Sequence, residues 1–458
     1  IVVWFSHSVG LSIQVEVQNS MVQPNEDNKI PIWLTNNHYE AKVVPGHTPV
    51  ALLETDTFHD IIDFEPPVSG DGGGFRATKT WATLSEAERG LLEQASIDPE
   101  NLLSKDQKGR LQDLLAKYVA VFAINPKKPG MTHAVEANFE LKPGARPHRH
   151  PPSRLGDIGR EIVEKEIAEL EANGLIRKSN SPWASRLVLV RKKDGGVRCC
   201  VDYRQLNEKL VTADVPLPRC DEAMERLGGS IQGGKYDENG LKQGGTWSPS
   251  LWFTTMDLAS GFWAIPVKES DKPLTAFVHH RGKHEWNVLP MGVSTGPETM
   301  VRMMETALTG LEWDTVMTFI DDLACAGAGS NEEDAFDNLL DRLGRVLQRL
   351  AWAGLTAKAS KCVFCATEVD FLGHRVGREG IRTDPKKVAS LRDIPAESIE
   401  SLTQVRQFLG LAGYYRRFIP KYPELAGPLT ELTKTKAGSG VTFPQATKTA
   451  AVQKSIAD

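Results

Sequence analysis

No run of about 18 apolar residues occurs in this 458-residue chain, so no stretch reads as a membrane-spanning helix. Cysteine is scarce: six in all, at 199, 200, 220, 325, 362 and 365. Scattered cysteines in a long chain argue against a disulfide framework and for reduced thiols in an intracellular, cytoplasmic setting. Cys362-Val363-Phe364-Cys365 has C-x-x-C spacing but no second Cys or His pair beside it, and zinc needs four ligands. Ile1-Val2-Val3-Trp4-Phe5 is too short, and lacks the basic flank, to read as a signal peptide, so a secreted protein is not expected. The chain opens on Ile rather than Met, so a piece of a longer protein is expected. A net charge of −5 gives no global sign of a polyanionic partner, but the acids are concentrated towards the N-terminus. A basic groove elsewhere would not register in the total.

What remains is an ordinary globular composition, 40% hydrophobic and 25% charged, long enough for several domains. Residues 1–65 alternate short apolar runs with Pro, Asn and Gly, which predicts a small β-rich unit. Residues 66–83 read as a linker. Helical spacing recurs at 103–122 and 158–173, the latter stopped by Gly174. Residues 185–191 and 197–202 predict a β-hairpin with a basic tip, Lys192-Lys193-Asp194-Gly195-Gly196. A short strand follows at 253–257, another starts at 263–267, and a helix covers 296–308. Ser330 with Glu333 matches a capping box before a long helix whose stripe is Phe336, Leu339, Leu340, Leu343, Val346, Leu347 and Leu350. Ser401 with Gln404 opens the last helix, to about 418. Strands and helices mix without a βαβ period, so the class is α+β.

One stretch carries chemistry. In Phe319-Ile320-Asp321-Asp322-Leu323, residues 316–320 and 323–326 read as buried strands and the two aspartates as the turn between them. Adjacent carboxylates at a hydrophobic hairpin tip are costly unless a cation neutralises them. The stretch is therefore either a solvated acidic turn or a metal site. Asp257 ends a second short apolar strand, Phe253-Thr254-Thr255-Met256-Asp257. Were the two strands neighbours, the carboxylates would meet and could hold two Mg²⁺ ions through oxygen, an arrangement suited to phosphoryl transfer.

Beyond composition, the blocks Ser181-Pro182-Trp183-Ala184-Ser185, Val188-Leu189-Val190-Arg191-Lys192-Lys193-Asp194-Gly195 and Val201-Asp202-Tyr203-Arg204-Gln205-Leu206-Asn207 resemble the fingers of a retroelement reverse transcriptase. Asp257-Leu258-Ala259-Ser260-Gly261-Phe262, Leu289-Pro290-Met291-Gly292, Phe319-Ile320-Asp321-Asp322 and Phe371-Leu372-Gly373-His374 follow in that family's order. Leu409-Gly410-Leu411-Ala412-Gly413-Tyr414-Tyr415-Arg416-Arg417-Phe418 is similar to the gypsy-type LTR retrotransposon Pol polyprotein. The resemblance runs from 84 to 434. It implies a right-hand polymerase with a post-protease spacer at 1–65, a lead-in at 84–150, fingers and palm at 151–376, thumb- or connection-like helices at 377–435 and the truncated start of a ribonuclease H-like domain at 436–458.

By that resemblance, Asp257, Asp321 and Asp322 are catalytic, with Asp257 and Asp321 sharing two Mg²⁺ (or Mn²⁺), Asp322 the lesser partner and the Leu258 carbonyl within reach. Lys192 and Arg198 would clamp the triphosphate. Ser260, Gly261, Phe262 and Met291 would contact the nucleotide, with Phe262 colliding with a 2′-hydroxyl. Leu372, Gly373 and His374 would grip the primer. Gly296 stands where many relatives have Ala, a change expected to be tolerated. The implied reaction is RNA-directed DNA polymerisation from dNTPs on an RNA or DNA template with a primer, away from membranes and in a virus-like particle. Protease, ribonuclease H and integrase segments are expected outside this chain. Residues 231–251 depart from the pattern: rich in Gly, Lys, Ser and Gln, they read as a flexible insert, either a genuine loop or a retained intron. A catalytically silent relic that binds nucleic acid is the competing reading, and an RNA-dependent RNA polymerase a weaker one.

Overall fold

The computed structural model describes residues 79–433, apart from 126, 192–195, 213–223, 225–226, 228, 233–234, 237–241, 244–245, 312–314, 395–398 and 400. The β-rich unit at 1–65, nearly all of the linker, the tip bearing Lys192 and the segment 436–458 lie outside the described residues. Within 66–83, Trp81–Thr83 forms a 3-10 turn.

The chain is organised on a six-stranded sheet. Its order is Ser96–Ile97, Val363–Ala366, Thr246–Asp257, Asp322–Ala328 and Met317–Phe319, with Gly229–Gln232 paired to the outer half of Thr246–Asp257. Only the pair between Ser96–Ile97 and Val363–Ala366 is parallel. Side chains alternate faces along each strand, and both faces here are covered. Trp252, Met256, Leu323 and Cys325 point into the large core that includes the long helix Glu332–Trp352. Phe253, Ala324 and Ala326 point the other way, into a second core with Val369, Phe371 and Val376 of the three-stranded sheet Glu368–Phe371, His374–Gly377 and Gly380–Thr383. A strand buried on both faces reads as a continuous apolar run, as Leu323 to Ala328 does.

The helix stripe is buried as its spacing predicts except at Leu340, which is half-buried at its margin: Phe336, Leu339, Leu343, Val346, Leu347 and Leu350 are fully enclosed. Such a side chain contributes about 1.5–3 kcal/mol when removed from water. Gly327 sets the approach of strand to helix. A Cβ there would fall inside the Ala335 carbonyl oxygen and 2.6 Å from Leu339 Cβ. The cap of this helix is Asn331, one residue later than the Ser330 capping box, because the Asn331 carboxamide accepts from the Glu333 and Asp334 amides at 3.0 and 2.9 Å.

A second sheet has five strands in the order Ile176–Lys178, Gly282–Trp286, Phe277–His279, Ser185–Arg191 and Val197–Asp202, the last two being the predicted hairpin. The helix Asp157–Ala172 precedes it, burying Val163, Ile167 and Leu170, and Gly174 at φ 72° ends it in the left-handed region. The helices Pro385–Arg392, Leu402–Tyr414 and Tyr422–Thr433 form a third core through Leu391, Val405, Phe408, Ala412, Tyr415 and Leu429. The Ser401–Gln404 capping box forms, but the helix stops at Tyr414 and continues only as a 3-10 turn, Arg416–Phe418.

Two local expectations are corrected. Instead of a strand at 263–267, the chain makes the 3-10 turn Gly261–Ala264 after Ser260, whose φ of 48° breaks the extended path. Within 231–251 the described backbone is paired rather than loop. Gly229–Gln232 runs against 246–249, and Lys235–Tyr236 against Lys242–Gln243. Ile231, Tyr236 and Trp247 supply β-prone residues that the glycine-rich composition masked.

Candidate active site

The acidic hairpin forms one residue out of the expected phase. Phe319 pairs with Asp322, so the two-residue turn is Ile320-Asp321 and Asp322 is the first residue of the returning strand. The turn is tight because Ile320 adopts φ 59°, a region that β-branched residues seldom occupy and that stores strain. The adjoining ladder places Asp322 directly opposite Asp257, and the Leu258 amide donates to the Asp321 carbonyl at 3.2 Å. All three carboxylates thus sit at one end of two neighbouring strands.

Their electrostatics follow from crowding. Burial raises the Asp321 carboxyl above its ordinary range, and the charge of Asp257 adds to it. Asp322 is pushed up to about 6, by burial first and then by Asp321 and Asp257. Lys361, in the 3-10 turn Ala359–Lys361, answers this charge with its Nζ 2.6 Å from Asp257 Oδ2. That hydrogen bond raises the Lys361 ammonium above its usual value. Sequence reading missed Lys361, which lies 104 residues from its partner and carries no local signal.

The donor set suits a hard divalent cation: carboxylate oxygens in mutual repulsion, held at strand ends, with one ammonium against three acids. Among the described residues no group of three or more carboxyl, imidazole or thiol side chains already converges on one point. The acids are neighbours, not a closed cage.

Two cavities flank Asp322. One, of about 270 Å³, is lined by Asp257, Asp322, Lys361, Asp370 and Leu372 among others. The second, of about 490 Å³, is lined by Phe319, Asp322, Leu372, Gly373, Lys387 and Tyr414 with Asp370 and Asp384. The 372–374 turn therefore faces the carboxylates. Leu372 at φ 48° and Gly373 at φ 73° make the tight connection between Glu368–Phe371 and His374–Gly377. The Tyr414 hydroxyl donates to the Leu372 carbonyl, and the Tyr415 hydroxyl to the Gly373 carbonyl at 2.9 Å. His374 is buried among Tyr414, Tyr415 and Phe418, with ring centroids 5.1, 5.2 and 5.5 Å away. The two tyrosines are a second feature that sequence reading passed over except as part of a motif.

Ser260, Gly261 and Phe262 lie three to five residues after Asp257, and Gly261 is buried while Phe262 is half-buried. Met291 is exposed at the end of a loop that Asn207 holds. The Asn207 carboxamide donates to the Gly292 carbonyl at 2.9 Å and accepts from the Ser294 amide at 2.9 Å. Arg198 stands exposed on the strand Val197–Asp202 opposite Val190, on a different sheet from the carboxylates. Leu258 is buried at the strand end.

Residues 190–376 match the family model described as reverse transcriptase (RNA-dependent DNA polymerase). Among curated proteins, the chain is 32% identical over 357 residues to the retrovirus-related Pol polyprotein from transposon opus of Drosophila melanogaster, covering 75% of this chain and 32% of that protein. The polyprotein from transposon 297 of the same species is 33% identical over 279 residues, covering 60% of this chain and 24% of that one. That from transposon gypsy, also of this fly, is 29% identical over 285 residues, covering 61% and 25%. The chain thus spans about a third or less of the length of these relatives. Among solved structures, the foamy viral protease-reverse transcriptase in complex with an RNA/DNA hybrid matches at TM-score 0.63 and 20% identity, covering 81% of this chain and 45% of that one. Its form in complex with double-stranded DNA matches at TM-score 0.64 and 21% identity, covering 81% and 59%. The shared fold is the α+β right-hand polymerase. No described helix is long and apolar enough to cross a membrane.

Proposed function

The chain belongs to the reverse transcriptase family of retrovirus-related, gypsy-type Pol polyproteins, and from that premise we propose that it extends a primer on an RNA or DNA template by adding deoxynucleotides. The observation that carries this reading is the meeting of Asp257, Asp321 and Asp322 at one end of two paired strands, across a cavity from the 372–374 turn. In the proposed reaction the primer 3′-oxygen bonds to the α-phosphorus of a dNTP, the bond to the bridging oxygen breaks, and pyrophosphate leaves.

Asp257, Asp321 and Asp322 are the residues that would hold two Mg²⁺ ions, or Mn²⁺ in their place. Such ions, when bound, supply positive charge to the attacking and leaving oxygens. The chain's own residues do the rest. Asp322, directly opposite Asp257, is in this reading as close a partner to it as Asp321. Lys361 neutralises one carboxylate and keeps the acid cluster compatible with a folded strand end. The 372–374 turn, hung from Tyr414 and Tyr415, positions the primer terminus. Phe262 lies beneath the nucleotide sugar and excludes a 2′-hydroxyl, with Ser260, Gly261 and Met291 beside the base and sugar. Lys192 and Arg198 stabilise charge on the triphosphate from the fingers. The reading assigns 151–376 to fingers and palm, 377–435 to thumb or connection, 436–458 to the start of a ribonuclease H-like domain and 1–65 to a spacer. It also implies a cytoplasmic setting among the other segments of a polyprotein.

The test is incorporation of dTTP on oligo(dT) annealed to poly(rA), with Mg²⁺ or Mn²⁺, beside a binding measurement on the same duplex. Template-dependent extension supports the reading. Binding without extension would replace it with a nucleic-acid-binding role.

A further inference from the structure

We propose that Gly296 is a positioning residue for nucleotide selection: the empty space at its α-carbon seats the Phe262 ring and fixes how far that ring protrudes into the nucleotide site. The inference rests on the reading of Phe262 as the group that meets the sugar. It is carried by a two-point contact between the 3-10 turn Gly261–Ala264 and the helix Gly296–Ala307.

At the first point, a large side chain of the turn meets a small residue of the helix. A Cβ on Gly296 would lie 3.0 Å from Phe262 Cε1 and 3.5 Å from Cδ1. At the second point the sizes are reversed. A Cβ on Gly261 would lie 2.5 Å from Met300 Cε, so the methionine, one helical turn on from Gly296, fills the space that glycine leaves in the turn. Met300 is fully buried.

The two contacts act together. A methyl group at 296 presses on the ring edge. The turn cannot retreat along the helix, because Gly261, the residue before Phe262, is backed by Met300. Gly261 and Ala264 are buried, so the turn cannot lift as a unit without exposing core. Phe262 is half-buried, and its open side is where the ring can give. The methyl group therefore tilts the ring outward, towards the sugar. Alanine at 296 is thus not a silent exchange: it tightens exclusion of ribonucleotides and costs some dNTP affinity. Gly296, by the same argument, gives this chain a recessed ring and a more permissive site. Met300→Leu has the opposite sign. A shorter side chain under Gly261 lets the turn settle and the ring withdraw.

The experiment measures kcat and KM for dTTP and rUTP on oligo(dT)–poly(rA) with the whole chain. Four proteins are compared: wild type, Gly296→Ala, Phe262→Val and the double variant, with Met300→Leu as a fifth. Expected results are a several-fold rise in the dTTP/rUTP ratio for Gly296→Ala, expressed mainly in the rUTP KM, and a several-fold fall for Met300→Leu. Phe262→Val should lower the ratio at least tenfold, and adding Gly296→Ala to it should change nothing further. If Phe262→Val lowers the ratio while Gly296→Ala and Met300→Leu leave it unchanged, the inference is overturned and the reading of Phe262 stands. An unchanged ratio in Phe262→Val removes the reading itself. A Gly296→Ala effect that persists undiminished in the double variant means the methyl group does not act through the ring, and the inference fails. Should Gly296→Ala not fold, Met300→Leu decides by its sign.

Discussion

Asp257 and Asp321 are related by a bond between neighbours, the Leu258 amide to the Asp321 carbonyl, and replacing either carboxylate by its amide preserves that geometry while removing charge. Asp257→Asn and Asp321→Asn are each expected to lower dNTP incorporation at least about 100-fold, the order seen when one charge-stabilising group is lost. Steady-state extension assays with circular dichroism as a folding control check this. Other ionisable groups govern stability instead. Burial holds His148 and His279 down to about 4 from 6.5, so both are neutral in the fold while the unfolded chain protonates first. Their contribution is present above about 6.5 and is lost as pH falls towards 4. His279→Gln should therefore flatten the acid side of the urea midpoint-versus-pH curve between those limits, with the midpoint at pH 7.5 as reference. An unaltered slope would show that His279 is not the group responsible. At the candidate site, carboxylates beside apolar runs left an acidic turn and a metal site both open, and it was the order of family motifs that chose between them. Contacts were not legible. Lys361 on Asp257 and Asn207 under the Met291 loop join residues far apart in the chain, which no local pattern records.

The helix Glu332–Trp352 and the strand Asp322–Ala328 illustrate how far patterning reaches. The stripe of Leu and Phe residues at helical spacing predicted a buried face, and the run from Leu323 predicted a strand enclosed on both sides. What patterning could not supply was phase. The hairpin turn fell on Ile320-Asp321 because backbone strain at Ile320 is tolerated there, whereas hydropathy favoured the two acids. The helix cap moved to Asn331 because its side chain reaches two amides. Gly327 is where strand and helix meet most closely, and Gly327→Ala is expected to destabilise the protein by about 3 kcal/mol or more, the upper range for overpacking. Chemical denaturation monitored by tryptophan fluorescence measures it, and a shift below about 1 kcal/mol would mean that helix and strand can separate cheaply.

The described residues are built on three cores, and the third belongs to the C-terminal helices alone. Phe408 is buried in that core, so Phe408→Ala should cost about 3–5 kcal/mol there. Hydrogen exchange should speed up across 385–433 while Thr246–Asp257 stays protected, and uniform loss of protection would show that the cores unfold together. The α+β class was readable from strands and helices that mix without a βαβ period. The pairing of residues 229–249 was not, because glycine-rich composition hides β-prone residues spaced along it.

Tyr414 and Tyr415 tie the C-terminal core to the 372–374 turn in two ways, by hydroxyls on the Leu372 and Gly373 carbonyls and by packing on the His374 ring. A contact read from the backbone constrains its two partners unequally. Position 372 is free to drift to any residue that accepts a left-handed conformation, with Asn the least costly. Gly373 is held by its own left-handed backbone at φ 73°, since a side chain there would meet only the movable end of Lys387. The tyrosines have less latitude, because phenylalanine fills the same volume but takes the Tyr415 hydroxyl from the Gly373 carbonyl and leaves the Leu372 carbonyl with only its contact to His374 Nδ1. In related copies of this chain, variation should therefore accumulate on one side of the joint and not on the other.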